Sequence, residues 1–123
     1  MAAAPAQVIN VERKLAAFTE QWSPKIVAEA NGWHVKLVKA SGRFVYHRHD
    51  VDELFIVLSG TLLIDLRDGE TREVHAGELY VVPAGVEHRP DAGEYCAMAL
   101  LEPVGVPNTG DAPGSRTAED VWL

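Results

Sequence analysis

Two histidines two residues apart, His47 and His49, are followed by a carboxylate at Glu53. A third histidine, His88, closes the run PAGVEH. Side chains alternate between the two faces of an extended strand, so His47 and His49 point the same way and can grip one ion together. With Glu53 and His88 they supply three neutral nitrogen donors and one carboxylate oxygen. That set suits one divalent transition metal, because imidazole favours iron, nickel, copper or zinc and the carboxylate admits manganese. Around an octahedral ion four protein ligands leave two positions open, which is where metal-assisted chemistry on a small organic substrate would occur.

Residues so spread along the chain meet only if the intervening segments fold back on one another. From residue 25 onward the sequence reads as short apolar or alternating runs, at 25–29, 33–40, 42–46, 54–58, 61–67, 71–75, 79–82 and 95–102. Turn pairs separate them: Asn31-Gly32, Ser41-Gly42, Ser59-Gly60, Asp68-Gly69, Ala76-Gly77 and Ala92-Gly93. Many short strands with no second helical stretch to cross over predict an all-β sandwich or barrel rather than βαβ units. Asp68-Gly69 predicts a two-residue primed turn, pairing 62–67 with 71–74. Before the strands, Val11, Leu15 and Phe18 recur at helical spacing behind a possible N-cap, Asn10, which predicts a short helix ending near Trp22, just ahead of Ser23-Pro24. After residue 102 the chain is rich in proline and glycine without an apolar period, which predicts an extended arm over 103–123. The organisation expected is thus 1–24 as an N-terminal segment, 25–102 as the β-barrel and 103–123 as the arm.

The 123 residues fall in the range of one compact domain. A net charge of −7 with no local Lys/Arg cluster argues against nucleic acid and anionic membrane surfaces as partners. Cys96, the single cysteine, permits no intrachain disulfide and fits a reducing cytoplasm. Residues 1–7 carry no positive charge and no apolar run of signal-peptide length, so the protein is expected to be unexported.

At its ligand positions the chain resembles the cupin superfamily. Gly42-x4-His47-x-His49-x3-Glu53-x6-Gly60 looks like the first cupin motif, and Gly77-x5-Pro83-x-Gly85-x2-His88 like the second, with sixteen residues between Gly60 and Gly77. Gly42 stands one residue closer to His47 than the usual pattern, and Ala92 replaces an expected asparagine; neither departure removes a ligand. The runs WSPKIVAEANGWHVKLVK, DELF, VVPAGVEH and EPVG resemble small stand-alone bacterial cupins of the mannose-6-phosphate isomerase-like kind. The resemblance implies a double-stranded β-helix, or jelly-roll, barrel over about 27–102. It also implies one metal (Fe, Mn, Ni or Zn) on His47, His49, Glu53 and His88, with a homodimer as the assembly.

Other residues read more plainly. Phe55 shares strand parity with Glu53 and is expected to wall the interior beside the metal. In cupins that cleave sulfonium propionates this position carries a tyrosine base, so that chemistry is disfavoured here. His34 and His75 are expected at the surface or a strand edge. One of Lys36 and Lys39 could face inward as an anchor for a substrate carboxylate, against the ordinary reading of a solvated sheet face. Tyr46, Tyr80 and Arg89 are expected to point outward. Cys96, Met98 and Leu100 share one face of the last strand and predict core packing.

Two functions follow as expectations. One is a metal-dependent enzyme on a small organic substrate, a dioxygenase or an isomerase or cyclase, in which Glu53 is the only ligand able to double as a base. The other is a non-catalytic module that binds a metal or a small molecule.

Overall fold

The computed structural model describes residues 7–123, so the expectation about the leader falls almost wholly outside it. Its elements are α1 Val11–Ala16, β1 Lys25–Ala30, β2 Trp33–Ala40, β3 Glu53–Leu66, β4 Thr71–His75, β5 Leu79–Val82, β6 His88–Asp91, β7 Cys96–Pro103 and β8 Val121–Trp122. Among the described residues no helix is long and apolar enough to cross a membrane.

The strand that organises the rest is β3. Its first half pairs antiparallel with β5 on one side and β7 on the other, and its second half pairs with β4 and β6. One fourteen-residue strand therefore belongs to two sheets, and the sequence β7-β2-β1-β8 extends the first of them. Folded over each other, these sheets form the all-β jelly-roll barrel. The sequence predicted two strands with a turn at Ser59-Gly60. The structure instead runs one strand through a register shift between Val57 and Ser59, because Gly60 at φ 78° lets the backbone bend without leaving the ladder.

The primed turn sits elsewhere than expected. Asn31 and Gly32 both take positive φ and join β1 to β2 in two residues, whereas Asp68-Gly69 belongs to a longer connection in which only Gly69 is positive. There the Leu66 N–H donates to the Glu70 carbonyl at 2.7 Å, and the Asp68 carboxylate accepts from the Glu70 N–H at 2.9 Å. The expected pairing survives, with Leu62 opposite Val74 and Asp65 opposite Thr71. Residues 42–46 form no regular strand and touch β6 through isolated bridges, while β6 itself and β8 were not foreseen.

Helix α1 stops at Ala16, earlier than predicted, with Asn10 accepting from the Arg13 N–H at 2.9 Å as its cap. Phe18, just beyond it, packs with Val27, Leu37 and Ala99 outside the barrel. The interior holds Val38, Phe55, Val57, Leu62, Ile64, Val82, Cys96, Met98 and Leu100. Cys96, Met98 and Leu100 thus lie in the core as their alternation predicted.

The arm after β7 is fastened rather than free. The Asn108 amide donates to the carbonyls of Trp22 and Arg116 and accepts from the Ala118 N–H, and β8 adds to β1 in parallel.

A Cβ on residue 60 would strike the Tyr95 carbonyl and come within 3.1 Å of the Cys96 Cα, on a backbone that L-residues already resist. Gly60→Ala is expected to cost more than about 1 kcal/mol of stability, read from urea denaturation midpoints.

Candidate metal centre

The segment entering β3 and the segment entering β6 lie side by side. His47 and His88 exchange both backbone hydrogen bonds at 2.9 Å, which sets them directly opposite each other with ring centroids 4.4 Å apart. Two residues on, His49 falls on the same side as His47, its ring 4.9 Å away. The Pro/Gly turn before His88 is tied to this segment twice: the Gly85 N–H donates to the His49 carbonyl, and the Ala84 N–H to the Asp52 carboxylate, both at 2.8 Å. Glu53 opens β3 beneath them. The structure brings together all four residues that the spacing selected.

One ligand atom from each of His47, His49, Glu53 and His88 lies within 4.8 Å of every other, and all four side chains are buried. The His47 Nδ1 lies 2.8 Å from the Val45 carbonyl and the His88 Nδ1 2.9 Å from that of Val86. A carbonyl only accepts, so each ring carries its proton on Nδ1 and turns the Nε2 lone pair inward. The His49 Nε2, the His88 Nε2 and the Glu53 Oε1 lack any hydrogen-bond partner, although all are buried. Buried polar atoms rarely go unpaired, and three that converge on one space fit a cation as their missing partner. The cluster is compatible with a metal site.

The electrostatics agree. Burial, together with the neighbouring His88, pushes the His47 imidazole down to about 4, so it is neutral at physiological pH. Burial works against the Glu53 charge, but the close approach of the His49 and His88 rings, at 3.4 and 3.3 Å from its Oε1, outweighs it and holds this carboxyl well below the usual carboxylate range. Neutral imidazoles around one carboxylate form the protonation state a divalent ion requires.

Behind Glu53 lies a group that sequence reasoning missed in part. Lys36 is fully buried, and its ammonium reaches the Glu102 Oε1 at 2.8 Å, the Asp120 Oδ2 at 2.5 Å and the Val106 carbonyl at 3.2 Å. Three donors meet three acceptors. Burial lowers the Lys36 ammonium, yet the two carboxylates more than reverse this and raise it. The Glu102 carboxyl is pushed up to about 9 by burial and by the adjacent Glu53 charge. Of the two lysines it is therefore Lys36 that faces inward, but it is saturated by the protein and has no donor left for a substrate carboxylate. Lys39 turns outward and donates to the Phe18 carbonyl at 2.7 Å. The alternation that set Cys96, Met98 and Leu100 inward also reaches Glu102, so parity could have found it. Asp120, in an arm without periodicity, left no such signal.

Other expectations divide. Phe55 is buried and lies 6.3 Å from the His88 ring, as its parity implied. His34 is buried rather than at the surface, 3.1 Å from the Glu29 carboxylate and edge-on to Trp122. His75 is exposed beside Glu73. Tyr80 packs on the core, because it stands opposite Phe55 on the inner face, which corrects the expectation that it points outward. Tyr46 lies between the guanidinium groups of Arg67 and Arg89, away from the ligands. Burial raises the Cys96 thiol to about 11, leaving it inert.

A small, partly open cavity adjoins the ligands. His47 and Glu53 supply its polar wall beside Asn108; Trp22, Val38, Phe44, Phe55, Met98 and Leu100 supply most of the rest. Trp22, stacked on Phe44 at 4.7 Å, was read from sequence only as a helix terminus.

This jelly roll, with its cluster of three histidines and a glutamate at one end, has the architecture of a cupin. Residues 33–101 match the cupin domain family, and the chain belongs to it. It is 49% identical to a cupin-2 domain protein from Shewanella frigidimarina, whose crystal structure superposes with a TM-score of 0.76 over 78% of this chain and 94% of that one. A Neisseria meningitidis protein is 34% identical at a TM-score of 0.73, over 79% and 99% of the two chains. The uncharacterized protein YdbB of Bacillus subtilis is 44% identical over 64 residues, 51% of this chain and 57% of its own length. This chain thus spans little more than half of that relative. At the level of fold alone, hydroquinone 1,2-dioxygenase from Sphingomonas sp. TTNP3 is similar, 19% identical with a TM-score of 0.73 over 81% of this chain and 33% of that one.

Two outcomes follow. Lys36→Met leaves the Asp120 carboxylate and Glu102 without their cation and is expected to cost about 3–5 kcal/mol in chemical denaturation. In metal-free protein the folded state refuses a proton that unfolded His47 accepts below its ordinary value of 6.5. Stability should therefore be full above that value and fall as pH drops toward about 4, as urea midpoints across this range would register, with the fall reduced in His47→Asn.

Proposed function

We propose that this cupin holds one divalent transition metal, iron, manganese, nickel or zinc, on His47, His49, Glu53 and His88, and acts on a small organic substrate in the adjoining cavity. The observation that carries this reading is the convergence of three buried, unpartnered ligand atoms on one space. A bound ion would supply Lewis acidity toward a substrate oxygen.

The chain's own residues do the remainder. The Val45 and Val86 carbonyls fix the tautomers of His47 and His88, Phe55 and its apolar neighbours exclude water, and Glu53 is the carboxylate able to take a proton at the cavity wall. Among the described residues the lining offers no acid or base beyond the ligands, so dioxygenase-like chemistry asks least of the protein. The fold shared with a dioxygenase is consistent with that choice. Isomerase- or cyclase-like chemistry would rest on Glu53 alone. The same shortage of acid–base groups favours a second reading, a non-catalytic module that captures a metal or a small molecule.

Elemental analysis of native preparations is expected to show near-stoichiometric transition metal, and His49→Ala to drop it below about a tenth of an equivalent. Less than that in both proteins defeats the metal reading. Oxygen-electrode traces of the iron-loaded protein with catechols and β-diketones separate the two functions: uptake supports the dioxygenase, and none with any substrate sinks it.

A further inference from the structure

Resting on the metal reading, we infer a substrate class: a small oxygen-donor molecule whose body is uncharged and apolar, with carboxylated and phosphorylated molecules rejected. Among the described residues that line the cavity none is lysine or arginine. The one charged side chain in that lining is the acidic Glu53, which offers an anionic substituent no counter-charge. Behind it Lys36 has all three donors engaged by Glu102, Asp120 and the Val106 carbonyl.

The cations near the rim lie outside that lining. Arg116 lies 5.0 Å from the Phe44 ring centroid and donates to the Arg43 carbonyl at 3.2 Å. A second, wider cleft beside His49 contains Arg48, but Arg48 is paired with Asp111 at 3.0 Å, and Asp50 lines the same cleft. Among the described residues, no lysine or arginine side chain forms part of the cavity beside the ligands.

What the interior offers is apolar area on Trp22, Phe44, Phe55, Met98 and Leu100, facing the His47 and Glu53 side of the ligand cluster. A ligand seated there buries its body against those walls and presents its oxygen to the ion. A carboxylate or phosphate carried on the part of that body that lies against the apolar walls, away from the ion, would lose its hydration with no side-chain counter-charge to replace it, and this desolvation is what excludes it.

The test is a matched pair that differs by one charge. Cobalt(II)-loaded protein, held without oxygen, is titrated with catechol and with 3,4-dihydroxybenzoate while the cobalt visible bands are followed; catechol 4-phosphate and 3,4-dihydroxybenzyl phosphate serve as phosphorylated analogues. Catechol should shift the bands with an affinity at least about tenfold tighter than its carboxylated analogue, and the phosphates should leave them unchanged. Phe55→Ser should weaken catechol severalfold at unchanged cobalt content. Equal or tighter binding of 3,4-dihydroxybenzoate, a shift with either phosphate, or stoichiometric cobalt with no response to catechol overturns the substrate class and leaves the metal reading standing. Failure to retain cobalt overturns both.

Discussion

A buried imidazole must be neutral, and one whose Nδ1–H is spent on a backbone carbonyl turns a bare lone pair into the interior. Much of this molecule follows from that constraint. His47 and His88 are locked in this state by Val45 and Val86, and they sit opposite each other because their own backbones are paired. Once these nitrogens face inward, Glu53 and His49 complete the set, in which the His49 Nε2, the His88 Nε2 and the Glu53 Oε1 have no hydrogen-bond partner among the described residues. The barrel holds them at fixed separations, with the ligand cluster where the paired segments 42–49 and β6 meet the start of β3. The packing energy of the strands thus keeps an electrostatically unsatisfied centre in place.

A second buried centre leans on the first. Glu102 touches Glu53 on one side and Lys36 on the other, and Lys36 in turn grips Asp120 in the arm. Burying three ionisable groups this way is seldom a source of net stability, since desolvation offsets most of their attraction. Their arrangement does fix geometry: the carboxylate of Glu53 is held from behind by a residue that is itself held, and the arm is fastened by charge as well as by backbone hydrogen bonds. The inward lysine, which from sequence could have been a handle for substrate, is part of the scaffold.

How much of this was legible depended on whether a residue belonged to a periodic segment. The four ligands could be read because their spacing combines strand alternation with glycine and proline turns. Phe55, Met98 and Leu100 followed from parity with them. Parity failed across residues 41–46, where Ser41-Gly42 interrupts β2 and the chain pairs only at isolated bridges, so Lys36 and Lys39 could not be told apart. Ser59-Gly60 looked like a turn because the same dipeptide that ends a strand can also bend one that continues. β6 escaped notice because His-Arg-Pro-Asp has neither β-branched residues nor alternation, and it is a strand only by virtue of β3 beside it. Asp120 owes its position to long-range charge pairing, for which a local pattern holds no trace.

The grip of Asp120 on Lys36 bears on how molecules reach the interior. Peeling the arm away would strip a fully buried ammonium of a carboxylate at 2.5 Å and the Val106 carbonyl at once, at a cost of about 3–5 kcal/mol. The arm is therefore a fixed wall and not a door. What the cavity can admit is then set by rotation of lining side chains such as Trp22, Phe44 and Asn108 on the nanosecond scale and not by a slow swing of the chain end.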